Sequence, residues 1–249
     1  MAKKVIPVSD LPVFSKNSSF PDNPELFSSG AIILMDKPQD WSSFDLVKFV
    51  RNRIPPKKVG HAGTLDPMAT GLLILCSGKA TKSISQIQSM KKRYVTKIRF
   101  GSSTPSFDAA TEIDETADWD HIDALMLEEK LKSEFTGIIS QVPPIYSAIQ
   151  IKGERLYKIA RRGGSVDIEP RDITIYEIKI LDVSMPDVTL EVYCGKGTYI
   201  RSLAHDLGIS LKSRAHMIEL RRSETGGFSV DDSYTPDQFE VEMKTLKDV

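Results

Sequence analysis

The stretch GHAGTLDPMATGLLIL, residues 60–75, places a single acid, Asp66, between a glycine-rich approach and an apolar run. An aspartate in such a loop is ionised near neutral pH, because its reference pKa is about 3.9. The carboxylate can serve as a nucleophile or as a base. The competing reading of Leu65-Asp66-Pro67 is a plain turn, in which the side chain accepts from nearby backbone amides. The flanks weigh against a turn alone. Gly60 and Gly63 let backbone approach a ligand closely, His61 offers a ring that can stack and hydrogen-bond, and Gly71 opens an apolar strand that would hold the loop rigid.

The elements that must carry these residues follow from hydrophobic periodicity. Residues 31–35 form a buried strand that Lys37-Pro38 ends. A helix over 43–53 is capped by Ser42 or Ser43, buries Leu46, Val47, Phe49 and Val50, and stops at Pro55-Pro56. After the Asp66 loop come a strand over 71–76, a helix over 81–90 and a strand over 93–100. Residues 121–134 space apolar residues as an acidic helix that ends at Gly137. A proline-punctuated loop then leads into a strand and a short basic helix over 154–162, ended by Gly163-Gly164. Three β-branched stretches follow, at 166–168, 173–183 and 188–194, then a helix over 199–207 that Gly208 stops, and a strand over 215–222. Strands and helices mix without regular alternation, which predicts an α+β fold around a mixed, largely antiparallel sheet. Residues 1–29 read as an N-terminal tail or irregular arm, 30–235 as one domain, and 236–249 as a short acidic tail.

Composition narrows the function. With 40% hydrophobic and 27% charged residues, and no apolar stretch long enough to span a bilayer, the chain is expected to be cytoplasmic and without a membrane partner. Cys76 and Cys194 each lie in an apolar segment and read as free buried thiols. His121, His205 and His216 have no metal-ligand spacing, so no metal is expected. Gly195-Lys196-Gly197 lacks the context of a phosphate-binding loop and reads as a turn that brings Lys196 near phosphate. The net charge of −1 conceals segregation: residues 51–60 carry +4, 91–99 carry +5 and 152–162 carry +4, while 108–134 carry −8. Basic segments around a catalytic motif point to a polyanionic substrate, since Lys and Arg gain affinity by releasing counterions from phosphates.

Residues 60–75 resemble the signature of the TruB family of tRNA pseudouridine synthases. Four further segments agree with that family in order and spacing. LMDKPQDWSS resembles its lysine-proline motif, KRYVTKIRFG its tyrosine motif, QVPPIYSAIQIKGERLYKIARRG the segment that follows, and CGKGTYIRSLAHDLG its arginine motif. The resemblance implies the pseudouridine synthase fold, an α+β arrangement with helices flanking the sheet. It also implies isomerisation of the uridine at position 55 in the T-loop of tRNA, without cofactor or metal. The sequence does not give the oligomeric state, and a monomer is the default. Asp66 matches the family's catalytic aspartate, Tyr94 its active-site tyrosine and Arg201 the arginine that pairs with the aspartate. His61 matches the histidine that fills the space left by the flipped base, and Lys37 and Pro38 a motif that shapes the pocket floor. Tyr199 precedes the arginine in the family's order, and Leu220 matches an apolar residue near the flipped uracil. Among the basic segments, Lys92 and Arg161 are the expected RNA contacts on the T-arm.

The chemistry suits these residue types. Moving the glycosidic bond from N1 to C5 requires the base to leave the stack, at a cost of a few kcal/mol, and to be held while it turns. Tyr94 offers a stacking face and a hydroxyl base, and a guanidinium fork orients a carboxylate. Whether Asp66 attacks C6, attacks C1′ or removes the C2′ proton is left open by the sequence.

Several positions depart from the family pattern. Asp40 stands where glycine is usual, and aspartate tolerates a left-handed turn better than most residues. In the loop after residue 101, Thr104 and Asp108 fit, whereas Ser106 replaces a threonine and Thr111 a glycine. Many bacterial members continue into a small RNA-binding PUA domain. No C-terminal PUA domain is expected here, so tRNA binding is expected to rest on the catalytic domain, its basic segments and the N-terminal arm. Two other readings remain: a pseudouridine synthase with another RNA target, and a tRNA-binding folding chaperone.

Overall fold

The apolar runs at 31–35 and 71–76 predict buried strands, and the computed structural model pairs them as adjacent inner strands of a sheet. The structure describes residues 5–18, 23, 25–55, 58–147, 149–151 and 153–245. Its elements begin with β1 (Val13–Phe14), α1 (Glu25–Ser29), β2 (Ile32–Lys37), α2 (Ser43–Arg51), β3 (Val59–His61), β4 (Thr70–Ser77) and α3 (Ile84–Ser89). There follow β5 (Lys92–Phe100), β6 (Ser102–Ser103), β7 (Glu115–Thr116), α4 (Ala124–Glu134), β8 (Gly137–Gln141), β9 (Gln150–Ile151), β10 (Glu154–Arg155) and α5 (Leu156–Arg161). The chain closes with β11 (Arg171–Ser184), β12 (Asp187–Cys194), α6 (Ile200–Ser210), β13 (Ala215–Thr225), β14 (Phe228–Ser229) and α7 (Pro236–Thr245). These form two units, Met1–Tyr94 with Arg221–Val249, and Val95–Leu220; β5 and β13 run from one into the other.

In the first unit the strand order is β1-β2-β4-β13, with β3 on β4 and β14 on β13. β1 and β2 are parallel, β2 and β4 antiparallel, and β4 and β13 parallel, so this sheet is mixed as expected. Side chains alternate along β2 and β4. Ile33, Met35, Leu73 and Leu75 face one core with Phe14, Phe27, Leu46 and Phe239, while Ile32, Leu34, Leu72 and Ile74 face a second with Ala80 and Ile87. Two cores explain why both strands read as unbroken apolar runs. Ser42 caps α2: its Oγ accepts from the Asp45 amide at 3.1 Å, and the Asp45 carboxylate accepts from the Ser42 amide at 2.9 Å.

The predicted helix over 81–90 is a 3₁₀ turn, Gly78–Ser83, running into the short α3. Residues expected as an irregular arm supply β1 and α1, with Phe14 and Phe27 buried in the first core, although residues 1–4, 19–22 and 24 lie outside the described residues. Likewise, residues expected as an acidic tail form α7, whose Phe239 and Met243 sit one turn apart and pack into that core. Residues 246–249, Pro56, Lys57 and Lys152 are outside the described residues.

The second unit has the order β5-β12-β11-β8, with β11 antiparallel to both neighbours. β12 alternates half-buried and buried side chains along its whole length. The stretch 166–168 forms no strand. Gly208 does not stop its helix: α6 continues to Ser210, and a Cβ at Gly208 would come within 2.4 Å of the Ala215 amide nitrogen. That glycine is required for close packing. The chain leaves α6 instead at Lys212, which has a φ of 56°.

Candidate active site

The Asp66 loop joins β3 to β4 and is held through both neighbours of the acid. Ser43, in the first turn of α2, is buried, and its Oγ donates to the Leu65 carbonyl at 2.9 Å and accepts from the Leu65 amide at 2.8 Å. On the other side, the Pro67 carbonyl accepts from Lys37 Nζ at 3.2 Å and from the Asp40 amide at 2.8 Å. The Asp66 carbonyl accepts from the Ala69 amide at 3.0 Å, which closes the turn. Asp66 itself is half-buried.

Lys37 is fully buried at the end of β2, and its ammonium also donates to the carbonyls of Pro38, at 2.8 Å, and Trp41, at 2.6 Å. Three carbonyls thus converge on one cation and tie residues 38–41 to the Asp66 loop. Burial pushes the Lys37 pKa down to about 8, against the opposing pull of Asp66 and then Asp40. Pro38 ends the strand, and Asp40 has a φ of 65°, so aspartate keeps the turn where the family pattern has glycine.

Beneath the loop runs β13. Arg222 is 2% exposed; its Nε donates to the Leu72 carbonyl at 2.7 Å and its Nη2 to the Gly63 carbonyl at 3.2 Å. The neighbouring Arg221 forms a bidentate pair with Asp36, at 3.0 and 2.8 Å. Gly71 has a φ of 102°, and a Cβ there would lie 2.3 Å from the Arg222 carbonyl oxygen, so only glycine lets β13 pass. Burial, helped by the Arg222 charge, holds the half-buried His61 below the usual imidazole range, so its ring is neutral at pH 7.

Tyr94 is 9% exposed on β5. Two positions away stands Lys92, expected as an RNA contact. It is buried, and its Nζ donates to the carbonyls of Gln88 and Met90 at the end of α3, at 2.5 and 2.6 Å.

The second unit positions the other predicted residues. Arg201, in the first turn of α6, is buried; it donates to the carbonyls of Ser106 at 3.1 Å and Tyr146 at 3.0 Å, and its Nε lies 3.5 Å from Asp108 Oδ2. Asp108 is in turn fixed through Oδ1 by the Ser106 hydroxyl at 2.5 Å and the Ala110 amide at 3.0 Å. Tyr199 is clipped by the Gln141 side chain, which accepts from its amide and donates to its carbonyl. Leu220 is buried, and Arg161 is exposed on α5 with its guanidinium over the Tyr157 ring.

Ser43, Asp108, Arg221 and Arg222 were not singled out from the sequence as site residues. Only Asp108 had a signal there, as one of the matching positions in a loop that fits the family in part. Among the described residues, no group of three or more His, Cys, Asp or Glu side chains could hold a metal ion, and no helix is long and apolar enough to cross a membrane.

Comparison with known proteins bears on the family. Residues 51–200 match the family model described as TruB family pseudouridylate synthase (N terminal domain), and residues 201–248 match tRNA pseudouridylate synthase B C-terminal domain. The chain is 44% identical over 228 residues to tRNA pseudouridine synthase B of Flavobacterium johnsoniae, covering 89% of this chain and 99% of that protein. It is 42% identical over 229 residues to the Parabacteroides distasonis protein of the same name, covering 89% and 97%. Among solved structures, a Cbf5-Nop10-Gar1 complex contains a chain with a TM-score of 0.68 and 27% identity; the match covers 93% of this chain but 62% of that one, under two thirds of its length. With family models spanning nearly all of residues 51–248 and relatives this similar along their whole length, the chain belongs to the TruB family of pseudouridylate synthases.

Proposed function

We propose that this chain isomerises uridine to pseudouridine at position 55 in the T-loop of tRNA, with Asp66 as the nucleophile or base. The observation that carries the reading is the double hold on Asp66, through Leu65 to Ser43 and through Pro67 to Lys37. A turn that served only to reverse the chain would not need a buried hydroxyl and a buried ammonium beside its carboxylate. An oriented acid does.

The target uridine leaves the stack, at a cost of a few kcal/mol, and the neutral imidazole of His61 fills the space it vacates. Tyr94 stacks on the uracil, which is worth about 1–3 kcal/mol. Arg201, the arginine that the family resemblance pairs with the aspartate, is steadied by Asp108. The N1–C1′ bond breaks, C1′ bonds to C5, the C5 proton is lost, and N1 gains a proton, so no water or cofactor is consumed. Arg161 meets backbone phosphate of the T-arm. The protein works as a monomer in the cytoplasm.

Loss of the C5 hydrogen gives a direct test. A tRNA transcript carrying tritium at uridine C5 releases one label per tRNA to water when incubated with the protein. Label that stays on the RNA at stoichiometric protein contradicts the proposal.

A further inference from the structure

We propose that Arg222 is a positioning residue for the isomerisation, locking the His61–Gly63 segment to β4 and thereby setting where Asp66 stands. The inference rests on the reading of Asp66 given above and adds to it a residue that touches neither RNA nor the reacting atoms.

Three observations carry it. First, Arg222 is almost fully buried, yet among the described residues it has no carboxylate partner; it donates to two backbone carbonyls, Leu72 on β4 and Gly63 in the loop. A buried cation without a counter-ion is costly, and an apolar side chain would fill the same space more cheaply. Second, the fork spans two segments. Leu72 belongs to the central strand, and Gly63 has a φ of 114°, a conformation with its carbonyl turned to the guanidinium. Without the arginine that carbonyl would lose its side-chain donor, and the loop would lose its tie to the sheet beyond the β3–β4 pairing, three residues before Asp66. Third, Arg222 and Asp66 both act on the buried ammonium of Lys37, with opposite signs, so two buried cations and the carboxylate share one small region.

The test compares wild type, Arg222→Met, Arg222→Lys and Asp66→Asn in single-turnover pseudouridine formation at saturating tRNA, with tRNA affinity and circular dichroism measured on the same samples. A displaced loop costs rate without costing binding, so Arg222→Met is expected to slow the folded enzyme about 100-fold with tRNA affinity unchanged within about threefold. Arg222→Lys keeps the charge but cannot bridge both carbonyls, and is expected to recover about a tenth of the wild-type rate. Folded Arg222→Met turning over within about twofold of wild type would overturn the inference, as a purely structural role predicts. If Arg222→Met does not fold, Arg222→Lys decides alone, and a wild-type rate from it overturns the proposal. Wild type that makes no pseudouridine removes the Asp66 reading and this inference with it. Product from wild type and none from Asp66→Asn leaves the Arg222 variants to bear on the inference only.

Discussion

Ser43 and Leu65, far apart in sequence, are joined by two hydrogen bonds to a single hydroxyl: Ser43 Oγ donates to the Leu65 carbonyl and accepts from its amide, at 2.9 and 2.8 Å. Both residues are buried, so neither backbone group of Leu65 has water as a substitute. The position of the next residue, Asp66, therefore depends on a serine in the first turn of α2.

Ser43→Ala leaves that amide and carbonyl unpaired. The expected cost is about 1–3 kcal/mol of stability, read from urea unfolding, because buried polar groups keep their full desolvation penalty. Ser42 still caps α2, so helix content measured by circular dichroism stays unchanged. Single-turnover rate falls by at least about tenfold, while tRNA affinity holds. Equal stability and rate in the two proteins would remove Ser43 from the account.

Lys37 makes stability depend on pH in a defined direction. Its folded pKa is lowered to about 8 from 10.5, so below about pH 8 the ammonium is charged in both states and its burial cost is present in full. Between those two values the unfolded chain holds a proton that the folded chain does not, and stability rises with pH. Unfolding free energies of wild type minus Lys37→Met, measured from pH 7 to pH 10, should therefore increase, by up to about 3 kcal/mol. Parallel curves for the two proteins would show that the ammonium is not desolvated as described.

Two cations in basic segments should behave differently. Lys92 holds carbonyls at the end of α3, so Lys92→Ala should lower thermal stability and leave the salt dependence of tRNA binding unchanged. Arg161 is exposed on α5 and available to phosphate. Arg161→Ala should weaken binding and reduce the slope of log affinity against log salt by about 0.7–0.9. Filter-binding titrations from low to high salt separate the two outcomes, and an unchanged slope for Arg161→Ala would remove that contact.

Where the sequence was legible, one local signal coincided with one physical cause. The unbroken apolar runs of β2 and β4 reflect burial on both faces, and the cap of α2 was visible as serine before an apolar stripe. The Asp66 loop was legible because glycines and an acid together are unusual beside a buried strand. Other features were hidden because the same residue types serve different ends. Asp237, Glu240 and Glu242 made α7 look like a solvated tail, although Phe239 and Met243 recur one turn apart and are buried. Gly208 looked like a helix stop, but its role is to let α6 approach Ala215. Arg222 carried no signal, since nothing local distinguishes an arginine that points into a sheet from one that points away. Ser43 gave no sign of its distant partner, because a contact across that separation exists only once the sheet has formed.

The central claim is that Asp66 performs the isomerisation of a uridine in tRNA. Its most direct test is a pseudouridine map of an unmodified tRNA transcript after incubation with wild type and with Asp66→Asn, read by carbodiimide labelling and primer extension. The account predicts a stop at position 55 with wild type and none with Asp66→Asn, at tRNA affinities that agree within about threefold. A stop of equal strength from Asp66→Asn, or none from wild type despite tight binding, would contradict it.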